Sequence, residues 1–148
     1  MSVKVTINPA SQILRDHGLN PGGHVQRFHT SNVLRRIKRY MPYRGGMLIK
    51  KTVAATDIAK PLIVTPGPEA RMLYHGKVMV DPKTGKAGFL TDDGWKSRRG
   101  VAKVPSNRDL VYTTSKNAQA GPYWDRRLKA AEMPVITREL QNYIDRRG

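Results

Sequence analysis

Between His24 and Met41 the chain has neither proline nor glycine, and its apolar positions recur at helical spacing. At about 100° per residue, Val25, Val33, Ile37 and Tyr40 fall on one arc, and Arg27, Arg35, Lys38 and Arg39 fall on the other. The pattern predicts a long helix with one buried face and a cationic, solvated face. It should stop before Pro42, because the residue preceding proline is pushed out of the α region. A shorter helix is expected over 9–17, with Asn8 as cap, Pro9 at the first position, Gly18 as stop, and Ile13 and Leu14 buried.

Near the other end, Tyr123, Trp124, Leu128 and Ala131 keep helical spacing, as do Val135, Ile136, Leu140, Tyr143 and Ile144. Pro122 opens this region without losing a helical hydrogen bond. Pro134 lies between the two sets, and either kinks one helix or begins a second. Glu69–His75 should make two helical turns, stopped by Gly76.

Strand signals are shorter. Val3, Val5 and Ile7 alternate with Lys4 and Thr6, as in an edge strand. Met47–Thr56 and Leu62–Thr65 are rich in Ile, Val and Thr and read as a β-hairpin. Val78 with Val80, and Leu110–Thr113, are further candidates. Asp81-Pro82-Lys83-Thr84-Gly85 has the chemistry of a tight turn. Together these elements predict a single α+β domain over 1–148. A small antiparallel sheet of three to five strands would pack under a long N-proximal helix and a C-terminal helix.

Composition adds a bias towards acidic partners. The chain has 148 residues, with 27 Lys and Arg against 11 Asp and Glu, a formal net charge of +16. Such an excess attracts nucleic acid, an anionic membrane or an acidic protein surface. There is no cysteine, which excludes disulfides, thiolate catalysis and cysteine-based zinc sites. The alternating amino terminus does not read as a signal peptide, and no window has the roughly 18 apolar residues of a membrane span. The expected setting is a cytoplasm, or an assembly made there.

Catalytic patterns are scarce. His24 and His29 are five apart, not at the i, i+4 spacing of helical zinc ligands. Asp92 and Asp93 read as a turn before Gly94; adjacent loop residues point apart and lack a third carboxylate. A nuclease or hydrolase resting on Asp92, Asp93 and His75 is the remote reading. Ser97 and Ser106 have no recognisable base, and Gly85-Lys86-Ala87-Gly88 lacks phosphate-loop spacing. The expectation is a protein without enzymatic activity and without cofactor or metal.

Residues 77–108 stand apart. They form a long, Gly- and Lys/Arg-rich stretch between segments that read as packed structure, far beyond the usual 4–6 residue connection. Lys83, Lys86, Lys96, Arg98, Arg99 and Lys103 make it cationic, diluted by Asp81, Asp92 and Asp93. These six are the candidates for facing DNA or an acidic partner, and contacts of this kind would be sequence-independent and salt-sensitive. Phe89 and Trp95 either anchor the arm in a neighbouring subunit or fold back as a small satellite core. Tyr123 and Trp124 are further candidate interface anchors.

The residues also carry a resemblance. Asn8-Pro9-Ala10-Ser11-Gln12-Ile13-Leu14 with His17-Gly18-Leu19-Asn20-Pro21-Gly22-Gly23 is similar to the opening of minor capsid proteins of long-tailed phages of Gram-positive bacteria. Those proteins are in turn similar to the tail-completion, or neck, proteins. Met79–Phe89 with Thr91–Ser97 resembles that family's most distinctive block, and Ala120-Gly121-Pro122-Tyr123-Trp124 its entry to the final helix. Arg44 and Gly45 stand where the broader family has Asp-Thr, and His75 where it tends to carry an acid. The resemblance implies a non-enzymatic virion protein at the head–tail junction, assembled in the host cytoplasm. It implies a ring, most often a hexamer, that meets connector, terminator or tail proteins around the DNA passage. The alternative, resting on charge alone, is a basic nucleic-acid-binding protein of ribosomal or chromatin type.

Overall fold

The computed structural model describes residues 2–6, 8–43 and 45–147, leaving aside the side chains of Pro68, Phe89, Leu90 and Trp95. The chain is α+β. Its helices are α1 (Ala10–Asp16), α2 (His24–Ile37), α3 (Met47–Ala55), α4 (Pro68–His75) and α5 (Trp124–Arg147), and a 3-10 turn, Lys38–Tyr40, extends α2. The strands are β1 (Lys77–Val80), β2 (Phe89–Thr91), β3 (Gly94–Lys96) and β4 (Val104–Asp109). They make two separate two-stranded antiparallel sheets, β1 with β4 and β2 with β3, instead of one sheet of three to five strands.

The body is a clasp of α2 and α5. Val25, Ile37 and Tyr40 are buried on the predicted arc, joined by Leu34. Leu34, Ile37 and Tyr40 join Trp124, Leu128 and Ile136 of α5, with Met41, Leu48 and Ala70 completing one core. At the far end Phe28 stacks on Tyr143, with ring centroids 4.1 Å apart and planes 2° from parallel. Pro134 lies inside an unbroken α5 and is exposed. The helical bond it forfeits is therefore on the solvent side, which removes most of the reason for a break.

Arg36 occupies the buried arc of α2. Its guanidinium donates to both Glu132 and Glu139 of α5. Asn32 donates to Glu139 at 2.7 Å and the Tyr40 hydroxyl to Glu132 at 2.6 Å. Arg36 holds both carboxyls below the ordinary range, with Tyr40 the larger influence on Glu132. The carboxylates in turn push the Arg36 guanidinium up. A buried cation with two partners and satisfied hydrogen bonds fixes how the two helices register.

Three sequence expectations fail in the body. Met47–Ala55 is a helix, not a strand. Leu48 and Thr52 are buried four residues apart, and the hydroxyls of Thr52 and Thr56 donate back to the carbonyls of Leu48 and Thr52. Residues 62–65 form no strand; they run past α3, tied by Val64 N donating to Thr56 Oγ1 and by Thr52 to Thr65. The threonines that signalled β structure act here as side-chain ties. Residues 110–113 are also irregular, and the strand lies just before them, over Val104–Asp109.

The amino-terminal expectations fail as well. Residues 2–6 form no strand, and Ile7 is outside the described residues. The short helix exists, but it buries nothing: Ile13 and Leu14 are each 44% exposed. Gly18 ends it at φ 70°, with the His24 ring so close that a Cβ would sit 2.0 Å from Nε2.

Irregular residues 110–123 lace over the body. The Asn117 amide donates to the carbonyls of Lys38 and Met41, at 2.8 and 2.7 Å, satisfying acceptors left open as α2 ends. Gly76, the stop of α4, has φ 72° and packs beside Pro122. From that point the chain leaves the body as β1 and returns by Leu110 N donating to Gly76 O at 2.9 Å.

Candidate functional site

The stretch 77–108 is a pair of nested hairpins. β1 and β4 pair with Lys77 opposite Asp109 and Val80 opposite Val104, with a bulge between Lys77 and Met79. Pro105 is tolerated because a two-stranded sheet has only edges. Inside this outer hairpin, β2 and β3 pair with Thr91 opposite Gly94, so Asp92-Asp93 is a two-residue turn. The Thr91 hydroxyl closes it by donating to Gly94 O at 2.8 Å.

Asp81 organises the junction between the hairpins. It is 5% exposed and accepts from the backbone N–H groups of Lys83 and Thr84, at 2.8 and 3.4 Å. Asp81 O also accepts from Gly85 N, and Asp81 N donates to Lys86 O. Its carboxylate takes a two-pronged contact from Arg98, at 2.6 and 2.7 Å. The Arg98 guanidinium, with the turn amides, holds the Asp81 carboxyl far below the carboxylate range, and Arg98 is raised in return. Planar two-point geometry of this kind fixes direction as well as distance.

That clamp decides where the cations stand. Lys83 and Lys86 lie on the turn that Asp81 caps, and Arg98 and Arg99 lie on the irregular segment between β3 and β4, which Asp81 holds through Arg98. Lys103 donates to Ala87 O, drawing the same two segments together. Five of the six predicted cations thus converge on one knuckle around one acid. Arg98 has its charge offset by Asp81, while Lys83, Lys86 and Arg99 are exposed. Lys96 is separate: it lies on β3, with its ammonium 3.3 Å from Asp93.

The predicted anchors divide. The side chains of Phe89 and Trp95 lie outside the described residues. Trp124 is only 6% exposed in the single chain and belongs to its core. Tyr123 is half-buried, edge-on to Tyr74 at 5.2 Å and beneath the Arg126 guanidinium at 5.0 Å. The role of Asp81 as clamp for Arg98 was missed from sequence, where Asp81 counted only as a turn former diluting the charge.

Among the described residues no group of three or more His, Asp or Glu is arranged to hold a metal ion, and no helix is long and apolar enough to cross a membrane. No family model, curated protein or solved structure matches the chain.

Proposed function

We propose that this chain is a structural protein of a phage head–tail junction. In this reading it forms a ring that joins connector and tail, and its cationic knuckle faces passing DNA or an acidic neighbour. The observation that carries the reading is the Asp81–Arg98 clamp. It brings cations from two segments of chain together and leaves Lys83, Lys86 and Arg99 exposed. Such a surface suits contact with phosphates without reading bases. Support for the neck itself comes from the resemblance of residues 8–23, 79–97 and 120–124.

Repeated around a ring, one knuckle per subunit would line a passage with a single sign of charge and focus the field inside it. The work is positional and needs no catalytic step. The test is electron microscopy of the purified protein alone and mixed with tail-less phage heads. Closed rings that seat at the portal vertex are expected. A chain that stays off the particle, yet binds DNA tightly as a monomer, would instead select the ribosomal or chromatin-type reading.

A further inference from the structure

We propose that residues 2–19 of one copy dock into an open groove of a second copy, giving a head-to-tail contact between identical chains. The groove measures about 670 Å³ and is walled by α2, residues 61–67, α4 and the start of α5. Val33, Ile37, Leu62, Ile63 and Trp124 line it, and Leu62 is 60% exposed.

The amino-terminal segment lacks the cover that would explain it. α1 has seven residues, none buried, and no side-chain cap. Its one internal side-chain bond is Gln12 to Asp16, at 2.7 Å. Helices this short are marginal in water unless a packed face holds them. Val3 and Val5 are 85% and 78% exposed. With Ile13, Leu14 and Leu19 they make five uncovered apolar side chains in one stretch. Among the described residues of 2–19 only Gly18 is buried. That leaves sixteen described residues at least partly exposed, approaching the roughly 20 that one side of a stable interface needs.

Charge selects the partner. Two copies at +16 repel, so contact is favoured where the local charge is small. Residues 2–19 hold Lys4 and Arg15 against Asp16, and the groove holds Arg71 against Asp125. Both surfaces are near neutral on a strongly cationic molecule. A nucleic acid or an anionic lipid surface would be drawn elsewhere. A knob and a groove that differ from each other make a heterologous interface, which closes into a ring or runs on as a filament. This contact does not depend on the neck reading, since a ring with any other purpose could use it.

The test is sedimentation velocity of the full chain at high salt, where repulsion between copies is screened. Two variants carry charges at exposed positions: Val3→Asp with Val5→Asp and Ile13→Asp on the segment, and Leu62→Asp in the groove. Wild type should form oligomers beyond the dimer. Each variant should keep the wild-type melting temperature and weaken association at least about tenfold. An equal mixture of the two should give a one-to-one dimer and nothing larger, because only one intact knob and one intact groove remain. A monomeric wild type overturns the proposal. Variants that assemble like wild type overturn it, as does a mixture that fails to pair. Loss of particle binding with this complementation intact would count against the neck alone.

Discussion

In the body, Arg36 reaches two glutamates on the opposing helix, and Met41 and Ile136 are almost sealed from solvent. In the nested hairpins, Asp81 binds an arginine seventeen residues away and the amides of its own turn. Among the described residues of 77–109 only Val80 and Asp81 are buried. The body is held by contacts between elements far apart in sequence, so losing one loosens the whole. The hairpins are held from within their own stretch, 77–109, by turns, one clamp and edge pairing. Regions with few buried apolar contacts open at lower free energy than the core. The difference separates a stable platform from a presentation surface, and each part can be attacked without the other.

The largest effect belongs to the body. Arg36→Ala leaves the half-buried carboxylates of Glu132 and Glu139 without their shared cation, which costs about 3 kcal/mol, the low end for a buried pair. For a chain of this length that is a fall in melting temperature on the order of 10 °C, read by calorimetry. Trp124→Ala should cost a comparable ~3–5 kcal/mol through the cavity it leaves. If Trp124→Ala instead spared stability and impaired assembly, the tryptophan would be an interface anchor after all.

Acid should find the same weak point. Glu132 and Glu139 sit below their ordinary value of 4.5 in the folded chain, so the unfolded chain binds protons first as pH falls. Their contribution is whole above about pH 4.5 and is lost as pH drops through the lower folded values. Melting temperature measured from pH 6 to pH 2 should therefore fall below about pH 4.5. Glu132→Gln with Glu139→Gln should start from a lower plateau and flatten that decline. An unchanged slope would show that these two carboxyls are not the acid-sensitive contacts.

A smaller and more local effect is expected at the clamp. Asp81→Asn removes the charge from the two-pronged contact while keeping the shape. Amide hydrogen exchange should accelerate over 77–109, with melting of the body nearly unchanged. Faster exchange spreading to α2 and α5 would show that the two regions unfold together.

How legible each region was follows from the same contrast. The stop at Gly76, the tight turn at Asp81 and the buried arc of α2 depend on neighbours in sequence, and all were readable. The partner of Arg36 was also within reach: at 100° per residue Arg36 falls on the arc of Val25 and Ile37, and Glu132 and Glu139 fall on that of Leu128 and Ile136. A cation on one buried face and two acids on another imply each other, a signal passed over when charges were assigned to solvent. Helix α3 was misread because β-branched Ile49, Thr52, Val53 and Thr56 favour strands, and here the burial of Leu48 and Thr52 one helical turn apart overrides that preference. The pairing of β1 with β4 spans more than twenty residues, and no local pattern carries a partner at that range. For the knuckle, the cations were visible but their convergence was not, since it depends on which acid Arg98 selects.

The smallest effect on stability should accompany the clearest effect on function. Lys83, Lys86 and Arg99 are exposed, so replacing all three with Gln should shift stability by no more than about 0.5 kcal/mol each. If the knuckle meets DNA, each lost phosphate contact lowers the slope of log affinity against log salt by about 0.9. Three losses then flatten that slope by roughly 3 on duplex DNA of any sequence, measured by anisotropy across a salt series. Arg98→Gln should do less to the slope than Arg99→Gln, because Asp81 already offsets the Arg98 charge, and more to hydrogen exchange in the hairpins. Equal slopes for the two single variants would mean that Arg98 leaves Asp81 for the phosphate, and the knuckle would then be reshaped on contact instead of preformed.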